Sequence, residues 1–258
     1  MMRLQTILLP LFFFLFGFSI CAAKKSLLLD KPECTQKRLQ EVDRNFLRLI
    51  AIGEFGRKFP EKHSDLPKFC KETNRLIDSM IKFISDCYPP DEQRIFKIYF
   101  FSAKRTVKPF CTKKRTKKLQ QLLELGPCLN TIINQIDCLD QLTNKTRELI
   151  PYQIGRDKIN YACCYYVDAL KCAENVLNIQ CMTNNAKDVI LDLVRSIGGD
   201  MVNFACGDYT ESTDRCDHIP PLPKNKFDKS VKVDKKLRSI AFAQIGMVES
   251  MEGFSAEP

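Results

Sequence analysis

The residues of this chain with the greatest capacity for chemistry are its cysteines. The 258 residues include thirteen cysteines but only two histidines. Cysteine side chains can bind zinc, act as nucleophiles or pair as disulfides. A zinc site is disfavoured because no C-x-x-C pair occurs and only His63 and His218 could complete a ligand set. Both histidines lie beside prolines in predicted loops, and neither has a nucleophile in a local motif. We therefore expect no catalytic residue, no metal and no cofactor.

The amino terminus indicates that the cysteines meet an oxidising compartment. Arg3 precedes an apolar run from Ile7 to Ile20 and the small residues Cys21-Ala22-Ala23, which is the pattern of a signal peptide over residues 1–23. Cleavage there removes Arg3 and Cys21, so the formal charge falls from +9 to +8 and twelve cysteines remain. Uncleaved, the segment would be a short membrane anchor, and no other apolar run could span a bilayer. We expect a secreted, extracellular protein with no integral membrane segment after cleavage.

An even number of cysteines in a secreted chain predicts disulfides. Six bridges are expected among Cys34, Cys70, Cys87, Cys111, Cys128, Cys138, Cys163, Cys164, Cys172, Cys181, Cys206 and Cys216. Each closed loop contributes about 2–4 kcal/mol by limiting the unfolded ensemble. The single N-glycosylation sequon, Asn144-Lys145-Thr146, predicts a surface glycan on Asn144.

One stretch resembles a catalytic helix. The segment Cys163-Cys164-Tyr165-Tyr166-Val167-Asp168 is similar to the C-C-x-x-H-D helix of secreted phospholipases A2, in which the histidine is the general base. Val167 occupies the position of that histidine, and no glycine-rich calcium loop precedes it. Because valine cannot accept a proton from water, we expect no such activity and predict that the protein is not an enzyme.

Positive charge is concentrated between Lys104 and Lys118, where eight basic residues occur with no acidic one. The candidate anion-binding residues are Lys113, Lys114, Arg115, Lys117 and Lys118. If the chain is helical from Thr112 onward, the four lysines share one stripe, which would attract sulfated glycans or anionic lipid headgroups in a salt-sensitive way. The alternative is a solvated face that keeps the protein soluble. Nucleic acid is a poor partner for an exported protein.

The elements expected to position these residues are helices, since apolar residues recur at helical spacing and strand-like alternation is scarce. Two such faces are Leu39, Val42, Phe46 and Leu49, then Leu76, Ile77, Met80, Ile81 and Ile84. Breaks are expected at Phe59-Pro60, Tyr88-Pro89-Pro90, Gly126-Pro127 and Pro151. The prediction is an all-α fold.

Aromatic side chains cluster after the Pro89-Pro90 break, at Phe96, Tyr99 and Phe100. Most such residues fill a core, but the faces of a helical bundle can also leave an apolar cavity that disulfides hold open. The sequence does not separate a filled core from a lined pocket. These three residues are the candidates for an apolar pocket.

The chain contains an internal repeat. Ile154-Gly155-Arg156-Asp157-Lys158-Ile159-Asn160-Tyr161-Ala162-Cys163 returns at residues 197–206 as Ile-Gly-Gly-Asp-Met-Val-Asn-Phe-Ala-Cys, with six of ten positions identical. The upstream cysteines are similarly spaced in the two copies, with Cys128 and Cys138 before the first copy and Cys172 and Cys181 before the second. The pattern predicts a duplicated unit that ends in a helix closing on a cysteine.

Repeat units near 70–111, 128–163 and 172–206 would make residues 24–216 a disulfide-rich array of helical hairpins. The first and last cysteines of a hairpin lie together at its open end, so the expected pairs are Cys70–Cys111, Cys128–Cys163 and Cys172–Cys206. Cys163 and Cys164 are adjacent and should bind two different partners.

Residues 217–258 differ from the rest in composition. Ile219-Pro220-Pro221-Leu222-Pro223 is followed by a lysine-rich stretch without cysteine. We expect a mobile Pro/Lys-rich tail, in which Leu237 to Met251 could form a weak helix and Lys235-Lys236 could serve as a processing site.

The stretch from Cys111 to Cys216 resembles the arthropod secreted family typified by the 27 kDa haemolymph glycoproteins. The likeness lies in the Cys128-Leu129 and Cys138-Leu139 openings, in helices that close on an aromatic residue and a cysteine, and in the C-x8-C pair Cys172 and Cys181. It covers less than half of the chain. The resemblance implies a helical extracellular protein with no established activity and no site residue to carry over.

These observations favour a secreted, non-catalytic binding or carrier protein of body fluid, saliva or venom, with a small apolar ligand. The alternative is an extracellular interaction protein of defence, matrix or venom type that binds sulfated glycans or anionic membranes through the basic stripe.

Overall fold

A computed structural model describes residues 31–251 apart from 51, 53–55, 89, 113–115, 133–136 and 182–185. The predicted signal peptide, residues 1–23, lies outside the described residues. Eight α-helices occur in the described part: α1 (Gln36–Ile50), α2 (Leu66–Cys87), α3 (Pro90–Thr112), α4 (Lys117–Ile132), α5 (Cys138–Glu148), α6 (Asp157–Gln180), α7 (Ala186–Cys206) and α8 (Ile240–Glu249). The predicted all-α fold is confirmed.

The first two helices form an antiparallel hairpin around the main core. The apolar faces predicted from the spacing are its buried residues, with Leu76 and Ile77 fully inaccessible and Leu49 and Ile81 at the edge of the same cluster. Cys34, just before α1, is bonded to Cys87 at the end of α2. The disulfide therefore closes the open end of the hairpin.

The end of α1 is held by a buried arginine. Arg57 Nη1 donates to the carbonyl oxygens of Arg48 at 2.7 Å and Leu49 at 3.1 Å, two acceptors that the last turn of a helix leaves without partners. Its guanidinium also stacks over the ring of Phe69 at 4.5 Å. Burial lowers the pKa of Arg57 to about 10, so the side chain remains charged at neutral pH. It links α1 to α2 at the end of the hairpin opposite Cys34.

The helices α2 and α3 form a second hairpin. Cys70, near the start of α2, is bonded to Cys111, near the end of α3. The predicted pair Cys70–Cys111 is therefore confirmed, and it lies at the open end as the hairpin geometry requires.

In the repeat region the disulfides run between the two copies and not within them. The first cysteine of each copy is bonded to the second cysteine of the other, as Cys128–Cys181 and Cys138–Cys172. The third cysteines are bonded to each other, as Cys163–Cys206. This reciprocity is the pattern that two like units related by a two-fold axis produce. The internal repeat is thus a pair of units that cross-link each other.

The predicted pairs Cys128–Cys163 and Cys172–Cys206 are wrong. They assumed that the helix of the first copy ends at Cys163, whereas α6 continues from there to Gln180. Cys181, the partner of Cys128, follows the end of α6 and is eighteen residues beyond Cys163, which corresponds to about 27 Å along a helix. Cys128 therefore cannot lie beside both. The prediction that Cys163 and Cys164 have different partners is confirmed, since Cys164 is bonded to Cys216.

A break predicted at Gly126-Pro127 does not occur, because α4 runs through both residues. Gly126 is needed for close packing at this point. A Cβ atom built there would lie 2.4 Å from the carbonyl oxygen of Pro60 in the loop before α2. The loop is further held by Asn130 of α4, whose side chain accepts from Phe59 N at 2.8 Å and donates to Phe59 O at 3.1 Å.

The C-terminal segment, predicted as a Pro/Lys-rich tail, makes backbone hydrogen bonds to the rest of the fold, and its mobility stays a prediction. Gln153 N donates to Lys226 O at 2.7 Å and Asp228 N donates to Pro151 O at 2.8 Å, so the chain after Pro223 pairs with the loop between α5 and α6. The predicted helix within Leu237–Met251 is present as α8 and packs on α5 and α1. Burial of its apolar residues against the core, with Ala243 2% exposed, is the reason that the segment folds.

The cysteines of the described part are paired in six disulfides. This number of disulfides is typical of proteins that fold in an oxidising compartment. Within the described residues, no helix combines the length and the apolar composition that crossing a membrane requires.

Candidate functional site

The candidate pocket residues Phe96, Tyr99 and Phe100 lie on α3. Phe100 is 3% exposed and belongs to the main core cluster with residues of α1 and α2, and it borders neither of the two cavities discussed below. The side chains of Phe96 and Tyr99 lie outside the described residues. Phe100 therefore packs in the core, and the pocket formed with Phe96 and Tyr99 stays a prediction.

A different apolar cavity of about 280 Å³ lies beneath α8. Its roof is α8 together with the strap, the segment 231–237 that leads into the helix. Its floor is formed by Leu39 of α1, Tyr88 and Ile150. The apolar residues that the roof contributes are Val231, Val233, Leu237, Phe242, Ala243 and Ile245. The residues that shape this cavity therefore come largely from the part of the chain that the sequence indicated as a mobile tail.

The N-terminal end of α8 is fixed by a buried carboxylate. Asp43 of α1 is 3% exposed and accepts from the backbone N–H groups of Arg238 at 2.7 Å and Ser239 at 2.9 Å. These amides lie at the N-cap Ser239 and at the residue before it, where the chain enters α8 and the helix supplies no acceptor for them. A negative charge there also opposes the positive end of the helix dipole.

The C-terminal end of α8 is fixed by a buried lysine. Lys158 of α6 is fully inaccessible, and its Nζ donates to Ser250 O at 3.0 Å, Ser250 Oγ at 2.7 Å and Ile150 O at 3.1 Å. A positive charge at this end again complements the dipole. The roof of the cavity is thus held at both ends by buried charges from α1 and α6.

Four charged residues line the cavity, namely Arg147, Lys232, Asp234 and Glu249. Arg147 of α5 donates to the carbonyl oxygen of Leu237 in the strap and, at 3.2 Å, to Asn144 Oδ1. Burial is the main reason that the pKa of Arg147 lies below its usual value. The arginine therefore holds the strap against α5. With Lys232, Asp234 and Glu249 it gives the mainly apolar cavity a charged border that has two cations and two anions.

The sequon residue Asn144 is exposed, as predicted for a glycan acceptor, but it lies within α5 and not in a loop. Thr146 of the same sequon is 1% exposed, and its hydroxyl donates to Leu142 O at 2.8 Å. The acceptor asparagine is thus accessible in the folded protein, whereas the hydroxyl of the sequon is not. Glycosylation at Asn144 stays a prediction.

The described part of the basic run does not form one continuous helix. The helix α3 ends at Thr112, and a new helix, α4, begins at Lys117 after Thr116, whose Oγ1 accepts from Leu119 N at 3.2 Å. Lys113, Lys114 and Arg115 lie outside the described residues. Lys117 and Lys118 are exposed in the first turn of α4, and Lys118 Nζ lies 3.7 Å from Asp192 of α7.

Lys117 and Lys118 border a groove of about 850 Å³ between the end of α3, the start of α4 and α7. Two further cations on its border, Arg105 of α3 and Arg195 of α7, were not among the predicted anion-binding residues. Arg195 was missed because it lies some eighty residues along the chain from the basic run, and only the packing of α7 against α3 and α4 brings them together.

The described cysteines and histidines border neither of the two cavities. One group of metal-type ligand atoms occurs among the described residues, at Asp137, Cys138 and Cys172, but both sulfurs belong to one disulfide and cannot bind a metal as thiolates. His63 is exposed, and His218 Nε2 lies 3.4 Å from Asp214 on the surface. Val167, at the position of the phospholipase histidine, is buried in α6.

Comparison of the chain with protein-family models, with curated proteins and with solved structures found no match. The resemblance to the haemolymph glycoproteins therefore stays a prediction from the cysteine spacing.

Proposed function

We propose that this protein is a secreted, non-catalytic binding or carrier protein of extracellular fluid, and that it holds a small apolar ligand in the cavity beneath α8. The observation that carries the proposal is the cavity itself, whose walls are mainly apolar and whose roof is anchored at both ends by Asp43 and Lys158. Ligand sites are mostly apolar clefts that exist before the ligand binds.

The size of the cavity limits the ligand. Its volume of about 280 Å³ lies near the lower end of the usual range for ligand sites, so a small compound is favoured over a long-chain lipid. Six disulfides support a role in an exposed fluid, because they limit the unfolding that proteases require. The predicted signal peptide supports export to such a fluid.

The proposal is tested with a neutral apolar probe. The mature chain is titrated with N-phenyl-1-naphthylamine, whose fluorescence rises in an apolar site. Ile245→Trp fills the cavity from α8, whereas Ile179→Trp places the same side chain on the exposed face of α6, where Ile179 is 70% exposed. The chain has no natural tryptophan, so each variant also carries a single reporter of its own site.

The expected result is binding by the native protein and by Ile179→Trp, with at least tenfold weaker binding by Ile245→Trp. Native mass spectrometry of the protein purified from its source should in addition retain a bound apolar molecule. Absence of probe binding by the native protein, or equal binding by the two variants, would contradict the proposal.

A further inference from the structure

The groove between α3, α4 and α7 has features that the apolar carrier function does not use. It is about three times larger than the cavity beneath α8, and its border holds four basic residues, Arg105, Lys117, Lys118 and Arg195, against two acidic ones, Asp188 and Asp192. The groove is therefore a positively charged concavity of ligand size.

Two of its cations have no competing partner. Arg105 and Lys117 make no ion pair with any of the described residues, and both are exposed. Lys118 is paired with Asp192 at 3.7 Å, and Arg195 is held by Glu211 through contacts of 2.8, 3.0 and 3.1 Å. An anionic ligand would thus meet Arg105 and Lys117 first, while Arg195 is held in place by its own partner.

The groove is stable enough to keep its shape. Thr106 of α3 donates its hydroxyl to Ser196 O of α7 at 3.2 Å, so the two walls are joined at the groove. Cys111 near the end of α3 is bonded to Cys70, and Cys206 at the end of α7 is bonded to Cys163. The cations are therefore displayed on elements that disulfides fix, which lowers the cost of ordering them on binding.

We infer that this groove is a binding site for a sulfated glycan. Sulfate groups match the guanidinium of Arg105 and the ammonium of Lys117 as other oxyanions do. The carboxylate of Asp188 accepts hydrogen bonds from sugar hydroxyl groups, and Phe110 with Leu193 and Val189 supplies apolar surface for a sugar ring. A flat anionic membrane would not reach into the concavity.

The test uses a heparin-derived hexasaccharide and its desulfated form, titrated into the mature chain by calorimetry. Arg105→Gln/Lys117→Gln removes two cations from the groove. Arg75→Gln/Lys171→Gln removes two exposed cations that do not border it, so the net charge changes equally. A third variant, Asp192→Asn, removes a negative charge from the groove and releases Lys118.

The inference requires the native protein to bind the sulfated form and not the desulfated one. Arg105→Gln/Lys117→Gln should bind about tenfold more weakly, while Arg75→Gln/Lys171→Gln stays within about twofold of the native protein. Asp192→Asn should bind more tightly, a gain that misfolding cannot produce. No binding by the native protein, equal losses in the two double variants, or binding only to anionic vesicles overturns the inference. None of these results depends on the cavity beneath α8.

Discussion

Asp43 and Lys158 lie at opposite ends of α8 and hold it through backbone groups that the helix itself leaves without partners. Asp43 accepts from Arg238 N and Ser239 N at one end, and Lys158 donates to Ser250 O at the other. Each charge has the sign that the helix dipole favours at its end. Both side chains are almost fully buried, with exposures of 3% and 0%. A ten-residue helix with little intrinsic stability is thereby fixed over an apolar cavity.

Removing the buried carboxylate should loosen α8. Asp43→Ala removes the acceptor of the buried Ser239 N–H group and of the partly buried Arg238 N–H group, at a cost of about 1–3 kcal/mol in the free energy of unfolding. Urea unfolding followed by circular dichroism measures this loss, and weaker binding of the naphthylamine probe should accompany it. Asp217→Ala, at an exposed position, is the matched control and should change neither quantity.

The sequence predicted the helices better than it predicted their ends and their contacts. The faces of α1 and α2 were visible because their apolar residues recur every three or four positions. The length of α6 was not visible in the sequence. The repeat ends at Cys163, and nothing in the spacing of its residues requires the helix to continue to Gln180. The two wrong disulfide predictions followed from that error, because the pairing of cysteines depends on which helix ends meet.

The contacts of the C-terminal part were not predicted, for a related reason. Lysines and prolines between Pro220 and Lys236 are typical of a mobile tail, and the local composition contains no sign of the anchor in α1. Asp43 lies 195 residues before Arg238, and an aspartate among apolar positions of a helix gives no indication of its distant partner. The signal that was available is the apolar stretch of α8 itself, preceded by Val231 and Val233, which line the cavity.

The close approach at Gly126 predicts that Gly126→Ala lowers stability, although a change from glycine to alanine within a helix usually raises it. Alanine has the higher helix propensity by about 1 kcal/mol, so Gly126→Ala would stabilise an isolated helix. In the folded protein its Cβ would lie 2.4 Å from Pro60 O, and the loop must shift. The thermal midpoint of Gly126→Ala should therefore fall.

Gly246→Ala in α8 is the comparison for that experiment. The nearest atom to its added Cβ is Ile150 Cδ1 at 3.1 Å, the end of a side chain that can move. This variant should keep or raise the thermal midpoint. A rise for both variants would show that Gly126 is not in close contact with the loop.

The buried position of Phe100 predicts that it affects stability and not ligand binding. Phe100→Ala leaves a cavity in the main core and should lower the free energy of unfolding by about 3–5 kcal/mol. Its affinity for the naphthylamine probe, measured where the variant is still folded, should match that of the native protein. If affinity falls while the cavity-filling Ile245→Trp has no effect, the ligand lies near α3 instead.

The reciprocal disulfides predict a specific peptide map. Digestion of the unreduced protein should yield cross-linked peptides containing Cys128 with Cys181 and Cys138 with Cys172, and no peptide that joins Cys128 to Cys163. The double variant Cys138→Ala/Cys172→Ala should fold with the other bridges intact but lose about 2–5 kcal/mol. Cys138→Ala alone should release one reactive thiol, which alkylation and mass spectrometry would locate at Cys172. A thiol found elsewhere would refute the pairing.

The raised pKa of Tyr165 predicts that the folded protein loses stability at alkaline pH. Burial raises the pKa of its phenol to about 12, and the neighbouring carboxylate of Glu148 adds to the shift. Between about pH 10 and pH 12 the phenol therefore ionises in the unfolded chain but stays neutral in the folded one, so ionisation favours unfolding and stability falls as the pH rises through this window. Urea unfolding midpoints measured from about pH 8 upward should fall in the native protein, and Tyr165→Phe should lessen the fall. Tyr209→Phe, which leaves the Tyr165 phenol in place, should follow the native curve, and identical curves for all three proteins would contradict the role of Tyr165.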